Sequence, residues 1–206
     1  MRRFECMQAL APMITDQLVV TNVARTGFEW KMAKPRDGNL YTMGMGLVAP
    51  FVLGLALSLP HRGVIALDGD GSILLNLGAL ATVANYAPAN FVSVIFDNES
   101  YASTGGLPTA TAGRTKLVEI ARGAGISNAI EVRTLEDFTA VAVKAVAGNG
   151  PWVIVAKVAP EKSPVDPKLM DGRENKYRFV RYIEETEGRV ILKPSVVGRG
   201  DEGRSP

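Results

Sequence analysis

GVIALDGDGSILLN, Gly63 to Asn76, is the stretch on which the fold turns. Apolar residues run into Asp68, then Gly69-Asp70-Gly71, then Ser72 and a second apolar run. The first run is short and β-rich, which suits a buried strand, and the second has helical character. A strand handing over to a helix marks the carboxyl edge of a parallel sheet, where α/β folds bind ligands. Asp70 is then a carboxylate at a binding edge. The glycines beside it let backbone approach a ligand and adopt positive φ. Ser72 opens a helix whose free N–H groups and dipole favour a phosphate. A carboxylate beside a phosphate site suits Mg²⁺, which takes oxygen ligands from both.

Outward from this stretch the same alternation continues. Residues 18–23, 63–68, 91–97 and 152–158 read as buried strands, and 47–58, 72–87, 115–124 and 134–147 as helices. Thr134, three residues before Asp137, is a candidate helix cap, with Leu135, Phe138, Val141, Ala142 and Ala145 along one face. Continuous apolar strands alternating with helices predict an α/β fold, three αβα layers around a mostly parallel sheet. Asp-Gly-Asn-Leu-Tyr (37–41) does not read as a strand. Residues 176–185 form one more amphipathic pattern, so the expected domain is 1–185, with 186–206 a flexible tail. The Arg199-Gly200-Asp201 tripeptide in that tail is read as chance.

With 206 residues and 47% hydrophobic composition, the chain can bury one sizeable core. A net charge of +2 gives no broad basic surface for nucleic acid. The single Cys6 makes neither an internal disulfide nor a cysteine-ligated metal site. The N-terminal residues lack the uninterrupted apolar core of a signal peptide, and the longest apolar run is too short to span a bilayer. A soluble, cytoplasmic location is expected.

Two glycine patterns compete for a phosphate. GMGLVA (44–49) loosely fits the dinucleotide pattern, but no strand precedes it and Pro50 sits at its helix start. Gly69-Asp70-Gly71 gains support from the next strand, which ends in Asp97-Asn98, with Asn98 28 residues after Asp70. A strand–helix–strand unit of that length brings both ends to one edge, where Asp70 and Asn98 could share a cation with a nearby carbonyl.

This combination resembles the thiamine-diphosphate (ThDP) enzymes. YTMGMGLVAP (41–50), LDGDGSILLNLGALAT (67–82) and FDNESYASTGGLPT (96–109) carry the resemblance, most closely to sulfopyruvate decarboxylase β subunits and the C-terminal half of phosphonopyruvate decarboxylases. The resemblance implies ThDP and Mg²⁺ as cofactors. It implies Asp70, Asn98 and the Ser100 carbonyl as metal ligands, and Gly69, Gly71 and Ser72 at the diphosphate. The backbone of Met43 and Met45 would meet the aminopyrimidine, Met45 being the bulky residue that bends the cofactor, and Gly44 and Tyr101 are further cofactor contacts. Ser103 and Thr104 are candidates for the substrate's anionic end; Arg25, Arg114 and Lys116 are further cations to weigh against a surface role. Glu99 departs from the pattern, since relatives often carry glycine there.

The family also needs a pyrimidine-binding domain that supplies an activating glutamate, for which this chain has no room. The resemblance therefore implies no catalytic acid in this chain and a separate α subunit as partner. The reaction implied is decarboxylation of a small anionic 2-oxo acid: sulfopyruvate to sulfoacetaldehyde, or phosphonopyruvate to phosphonoacetaldehyde, each with CO₂. A carboligase subunit, a 2-oxoacid oxidoreductase subunit and a non-catalytic ThDP-binding module are the alternatives.

Overall fold

The computed structural model describes residues 1–161, 163–165 and 171–192. Six strands form one sheet: β1 (Leu18–Asn22), β2 (Asn39–Met43), β3 (Val64–Gly69), β4 (Phe91–Asp97), β5 (Asn128–Val132) and β6 (Trp152–Lys157). Their order is β2-β1-β3-β4-β6-β5, and every pairing is parallel. The central strands β1 and β4 are buried along their whole length, as unbroken apolar runs require when helices cover both faces.

Alternate residues of each strand feed two cores. Val64 and Ala66 join the core beneath α3 (Val48–Ser58), α5 (Gly78–Tyr86), α6 (Leu117–Gly123) and α8 (Gly172–Glu187). Ile65 and Leu67 point the other way, toward α1 (Arg3–Leu10), α2 (Arg25–Ala33) and α7 (Leu135–Val146). Thr134 caps α7: its hydroxyl accepts the Asp137 N–H at 3.1 Å. Phe138, Ala142 and Ala145 of that helix are buried, while Leu135 lies exposed. Burial of Phe138 alone is worth about 1.5–3 kcal/mol. Among the described residues no helix is long and apolar enough to cross a membrane.

Several expectations change. Residues 39–43 are a strand after all, on the sheet edge against β1. Its first residue, Asn39, is fully buried because its amide donates to the Lys34 carbonyl at 2.7 Å and the Tyr41 hydroxyl at 2.8 Å. Residues 128–132, on the opposite edge, are a strand that the sequence reading left unassigned. The helix expected over 72–87 is broken into α4 (Asp70–Ile73), a 3₁₀ turn at Leu74–Asn76, and α5. Asn76 leaves the helical run to donate to the Gly46 carbonyl at 3.0 Å. At the far end the described residues continue past 186, as far as 192. Glu187 ends α8 and pairs with Arg62 at 3.0 Å, and the N–H groups of Ile191 and Leu192 donate to Glu184 at 2.6 Å. The rest of the expected tail, 193–206, lies outside the described residues.

Candidate functional site

The carboxyl ends of β1, β3 and β4 converge on a cavity of about 270 Å³. Asn22 to Thr26 enter from β1, Gly69 to Ser72 from β3, and Phe96, Asn98 and residues 100–104 from β4 and its loop. Met45 reaches it from the turn before α3. Of the residues singled out in the sequence, Met45, Gly69, Asp70, Gly71, Ser72, Asn98, Ser100, Tyr101, Ser103, Thr104 and Arg25 therefore meet in one place. Met43 and Gly44 do not line it: the Met43 side chain packs on the core, and its carbonyl accepts the Val23 N–H at 2.9 Å. Arg114 and Lys116 lie elsewhere.

Asp70 is 3% exposed and does not stand alone. Its Oδ2 accepts hydrogen bonds from the Thr109 hydroxyl at 2.6 Å and the Thr111 hydroxyl at 3.2 Å. The two hydroxyls are 2.8 Å apart, and the single Thr111 hydroxyl proton is shared between Asp70 and the nearer Asp97 Oδ1 at 2.8 Å. Lys157 closes the chain, with Nζ 2.9 Å from Asp97 Oδ2 and in contact with Glu99. Burial pushes the Asp70 carboxyl above its ordinary range and the Asp97 charge adds to this, against the pull of the two hydroxyls. The sequence reading missed Thr109, Thr111 and Lys157 as parts of the site. They lie 39, 41 and 87 positions from Asp70, and only the sheet order and the return of the 98–109 loop bring them beside it.

That loop doubles back as a narrow hairpin. Thr109 N–H donates to the Glu99 carbonyl at 3.1 Å and Tyr101 N–H to the Leu107 carbonyl at 2.8 Å, so the Ser100 carbonyl is left out of the pairing. The Asn98 amide oxygen accepts the Ser100 N–H at 3.2 Å. Glu99 takes φ +60, the left-handed region that glycine enters freely. Here the Asp97 carboxylate, accepting the Glu99 N–H at 3.1 Å, and the Lys157 contact hold it there.

Two residues expected at the diphosphate also have packing and hydrogen-bonding roles of their own. A β-carbon on Gly71 would run into the ring of Tyr101, so the packing of that ring already demands glycine here. Ser72 is 1% exposed, and its hydroxyl accepts the Gly46 N–H at 3.0 Å, pinning the turn that carries Met45 to α4. Behind the cavity Asp68 is fully buried. Its Oδ1 accepts from Asn22 at 3.2 Å and from the Gly69 N–H at 2.9 Å, while Oδ2 has no partner among the described residues. Burial raises its carboxyl, and the nearby Ser72 hydroxyl, the Gly69 N–H and the Asn22 amide offset this only in part.

An all-parallel sheet between two helical layers, with a buried carboxylate and an amide at the ends of adjacent strands around one cavity, defines an α/β cofactor-binding domain. Residues 21–156 match the thiamine pyrophosphate enzymes' C-terminal TPP binding domain, and the chain belongs to that family. It is 37% identical over 171 residues to a protein named sulfopyruvate decarboxylase subunit beta from Methanocaldococcus jannaschii, covering 82% of this chain and 90% of the relative. It is 38% identical over 152 residues to a phosphonopyruvate decarboxylase from Streptomyces hygroscopicus, covering 73% of this chain but only 37% of that one. In fold it resembles benzoylformate decarboxylase from Polynucleobacter necessarius, with a TM-score of 0.66 at 19% identity, over 80% of this chain and 34% of the solved one. The chain thus spans nearly the whole of the first relative and about a third of the other two.

Proposed function

We propose that this chain is the ThDP- and Mg²⁺-binding β subunit of a decarboxylase of 3-substituted pyruvates, with sulfopyruvate or phosphonopyruvate as substrate. The observation that carries the reading is the grouping of Asp70, Asn98 and Ser100 around one cavity in a chain of this family. Similarity over 90% of a protein named sulfopyruvate decarboxylase subunit beta supports the substrate and the need for a second subunit.

The residues fit the cofactor. A carboxylate, an amide oxygen and a main-chain carbonyl are hard oxygen donors of the kind Mg²⁺ takes beside a phosphate. Asp70 is held through Oδ2 by two threonine hydroxyls, so its other oxygen faces no competition from them. A dication beside Asp70 would also reverse the pressure that burial places on its charge. When bound, ThDP supplies the nucleophilic carbon and the electron sink for loss of CO₂. The chain's own contribution is placement. Asp70, Asn98 and Ser100 anchor the metal and diphosphate end, Met45 supports the cofactor from the α3 side, and Ser103 and Thr104 offer hydroxyls to the substrate. Met45 at the cavity and Leu47 and Leu75 beside the turn that carries it are exposed, an apolar surface suited to a pyrimidine-binding partner that brings the activating glutamate.

The test is to purify the tagged chain with its partner in Mg²⁺ and ThDP and to measure CO₂ and aldehyde from each acid. Release from one of them, abolished by EDTA and restored by Mg²⁺, is expected. A complex that retains ThDP yet releases CO₂ from neither refutes the reading.

A further inference from the structure

Arg25 is the first residue of α2, immediately after a turn in which Ala24 takes φ +69 and stops β1 from running on. It is half-buried and lines two spaces at once: the cavity of about 270 Å³ and a wider groove of about 790 Å³ that shares Asn98 and Ser100 with it. The other basic residues lining these spaces are each committed to a carboxylate. Arg3 grips Glu29 through two bonds of 2.7 and 2.8 Å, Lys157 holds Asp97 and Glu99, and Arg133 meets Glu131 at 2.6 Å. Glu161, the remaining acid shared by both linings, is taken by Arg2 at 3.1 Å. Arg25 has no carboxylate partner among the described residues, and the first turn of its own helix carries no acidic residue.

We infer that Arg25 is a specificity-determining residue, its guanidinium holding the tetrahedral anion at C3 of the 2-oxo acid, sulfonate or phosphonate, in the cavity with Ser103 and Thr104. The inference rests on the decarboxylase reading and deepens it. A guanidinium fork matches a tetrahedral oxyanion with two parallel N–H···O bonds. The choice between the substrate's two anionic ends follows from the chemistry. The carboxylate must give up its charge as the bond to CO₂ breaks, so a strong grip on it would favour the ground state over the transition state. The distal anion keeps its charge throughout. Arg25 there adds binding without opposing the reaction, and its loss falls on KM more than on kcat.

The assembled complex, loaded with ThDP and Mg²⁺, is compared as wild type, Arg25→Lys and Arg25→Gln. Initial rates are measured with sulfopyruvate, phosphonopyruvate and pyruvate, and the unreactive dianions 3-sulfopropanoate and 3-phosphonopropanoate are titrated calorimetrically. For Arg25→Gln the preference for the charged substrate over pyruvate, as a ratio of kcat/KM, falls by about 10–100-fold, the size expected for lost charge-assisted hydrogen bonds. The rise in KM exceeds the fall in kcat, dianion affinity drops by a similar factor, and Arg25→Lys lies between. Which of the two dianions wild type binds more tightly separates a sulfonate from a phosphonate site. Equal dianion affinity in wild type and Arg25→Gln, or an unchanged substrate ratio, overturns the assignment of Arg25. Absence of turnover of either charged acid by wild type overturns the decarboxylase reading, while the titration still decides whether Arg25 holds the anion.

Discussion

Replacing Thr109 by valine tests whether the threonine pair holds the proposed metal ligand. The Thr109 hydroxyl donates to Asp70 at 2.6 Å in a site where Asp70 is 3% exposed. A buried hydrogen bond to a charged group is worth about 1.5–3 kcal/mol. Valine keeps the shape of threonine, so no cavity adds to the cost, but it strands the carboxylate on the longer 3.2 Å bond from Thr111. It also deprives the Thr111 hydroxyl of a neighbour at 2.8 Å. A loss of about 2 kcal/mol follows, a fall in Tm of about 4–8 °C for a domain of this size. Because the hydroxyl orients Asp70, apparent Mg²⁺ affinity should drop by about 10–100-fold, as for other outer partners of metal ligands. The assay strips the assembled complex with EDTA, restores Mg²⁺ stepwise at fixed ThDP, and follows cofactor retained through gel filtration. Thr109→Ser keeps the hydroxyl and should track wild type. A Thr109→Val complex with Mg²⁺ demand and Tm both unchanged would show that the hydroxyl bridge does not position Asp70.

Three further outcomes are expected. Burial pushes the Cys6 thiol up to about 12, so a thiol reagent at pH 8 should leave the native protein unlabelled and react only after denaturant; rapid labelling of folded protein would contradict this. Ala24→Gly should stabilise by about 1 kcal/mol, relief of a strained φ of +69 outweighing glycine's greater unfolded-state freedom, and a lower urea midpoint would show that the turn is not strained. Asp68 binds its proton more tightly folded than unfolded, so its contribution is fullest below about pH 4 and fades as pH rises through the folded value. Asp68→Asn keeps an acceptor for Asn22 and Gly69 and should flatten that fall, whereas urea midpoints that run parallel from pH 4 to 8 would exclude the effect.

How far the sequence reveals this molecule depends on how local each signal is. The strands β1, β3, β4 and β6 are legible because each is a short, mostly apolar, β-branched run, the pattern that burial on both faces imposes. The edge strands are not. Asn39-Leu40-Tyr41-Thr42-Met43 opens with an amide that only its bonds to Lys34 and Tyr41 make tolerable inside, and Asn128–Val132 is buried at just two of its five positions. The α4–α5 break is equally hidden, since the apolar run continues through it and only the contact of Asn76 with Gly46, distant in sequence, diverts the chain. At the site the Gly-Asp-Gly turn and the Asn98 spacing are local and read directly. The threonine bridge and Lys157 depend on which strands lie side by side, and spacing alone does not carry that.

Sheet order also explains how one small cavity would serve the proposed dication and the proposed anionic substrate together. Neighbouring strands lie about 4.8 Å apart. The proposed metal ligands sit at the ends of β3 and β4, while Arg25 follows β1, on the other side of β3. Asp97 lies at the end of β4 but turns its charge away from the cavity, neutralised by Lys157 at the end of β6, the next strand out. Glu99, the residue at odds with an anion site, is drawn to the same lysine. Asp97 and Glu99 are thus drawn to the β6 side, and Arg25, with no carboxylate partner among the described residues, stands on the β1 side. An acid approaching the cavity meets Arg25 without crossing an uncompensated carboxylate, which reconciles Glu99 with an anionic substrate. Removing that compensation should show as selectivity. Lys157→Met, by freeing the charges of Asp97 and Glu99, should raise KM for sulfopyruvate or phosphonopyruvate more than for pyruvate, and more steeply at low ionic strength. Equal effects on all three acids would mean that the separation of charge across the sheet plays no part in substrate choice.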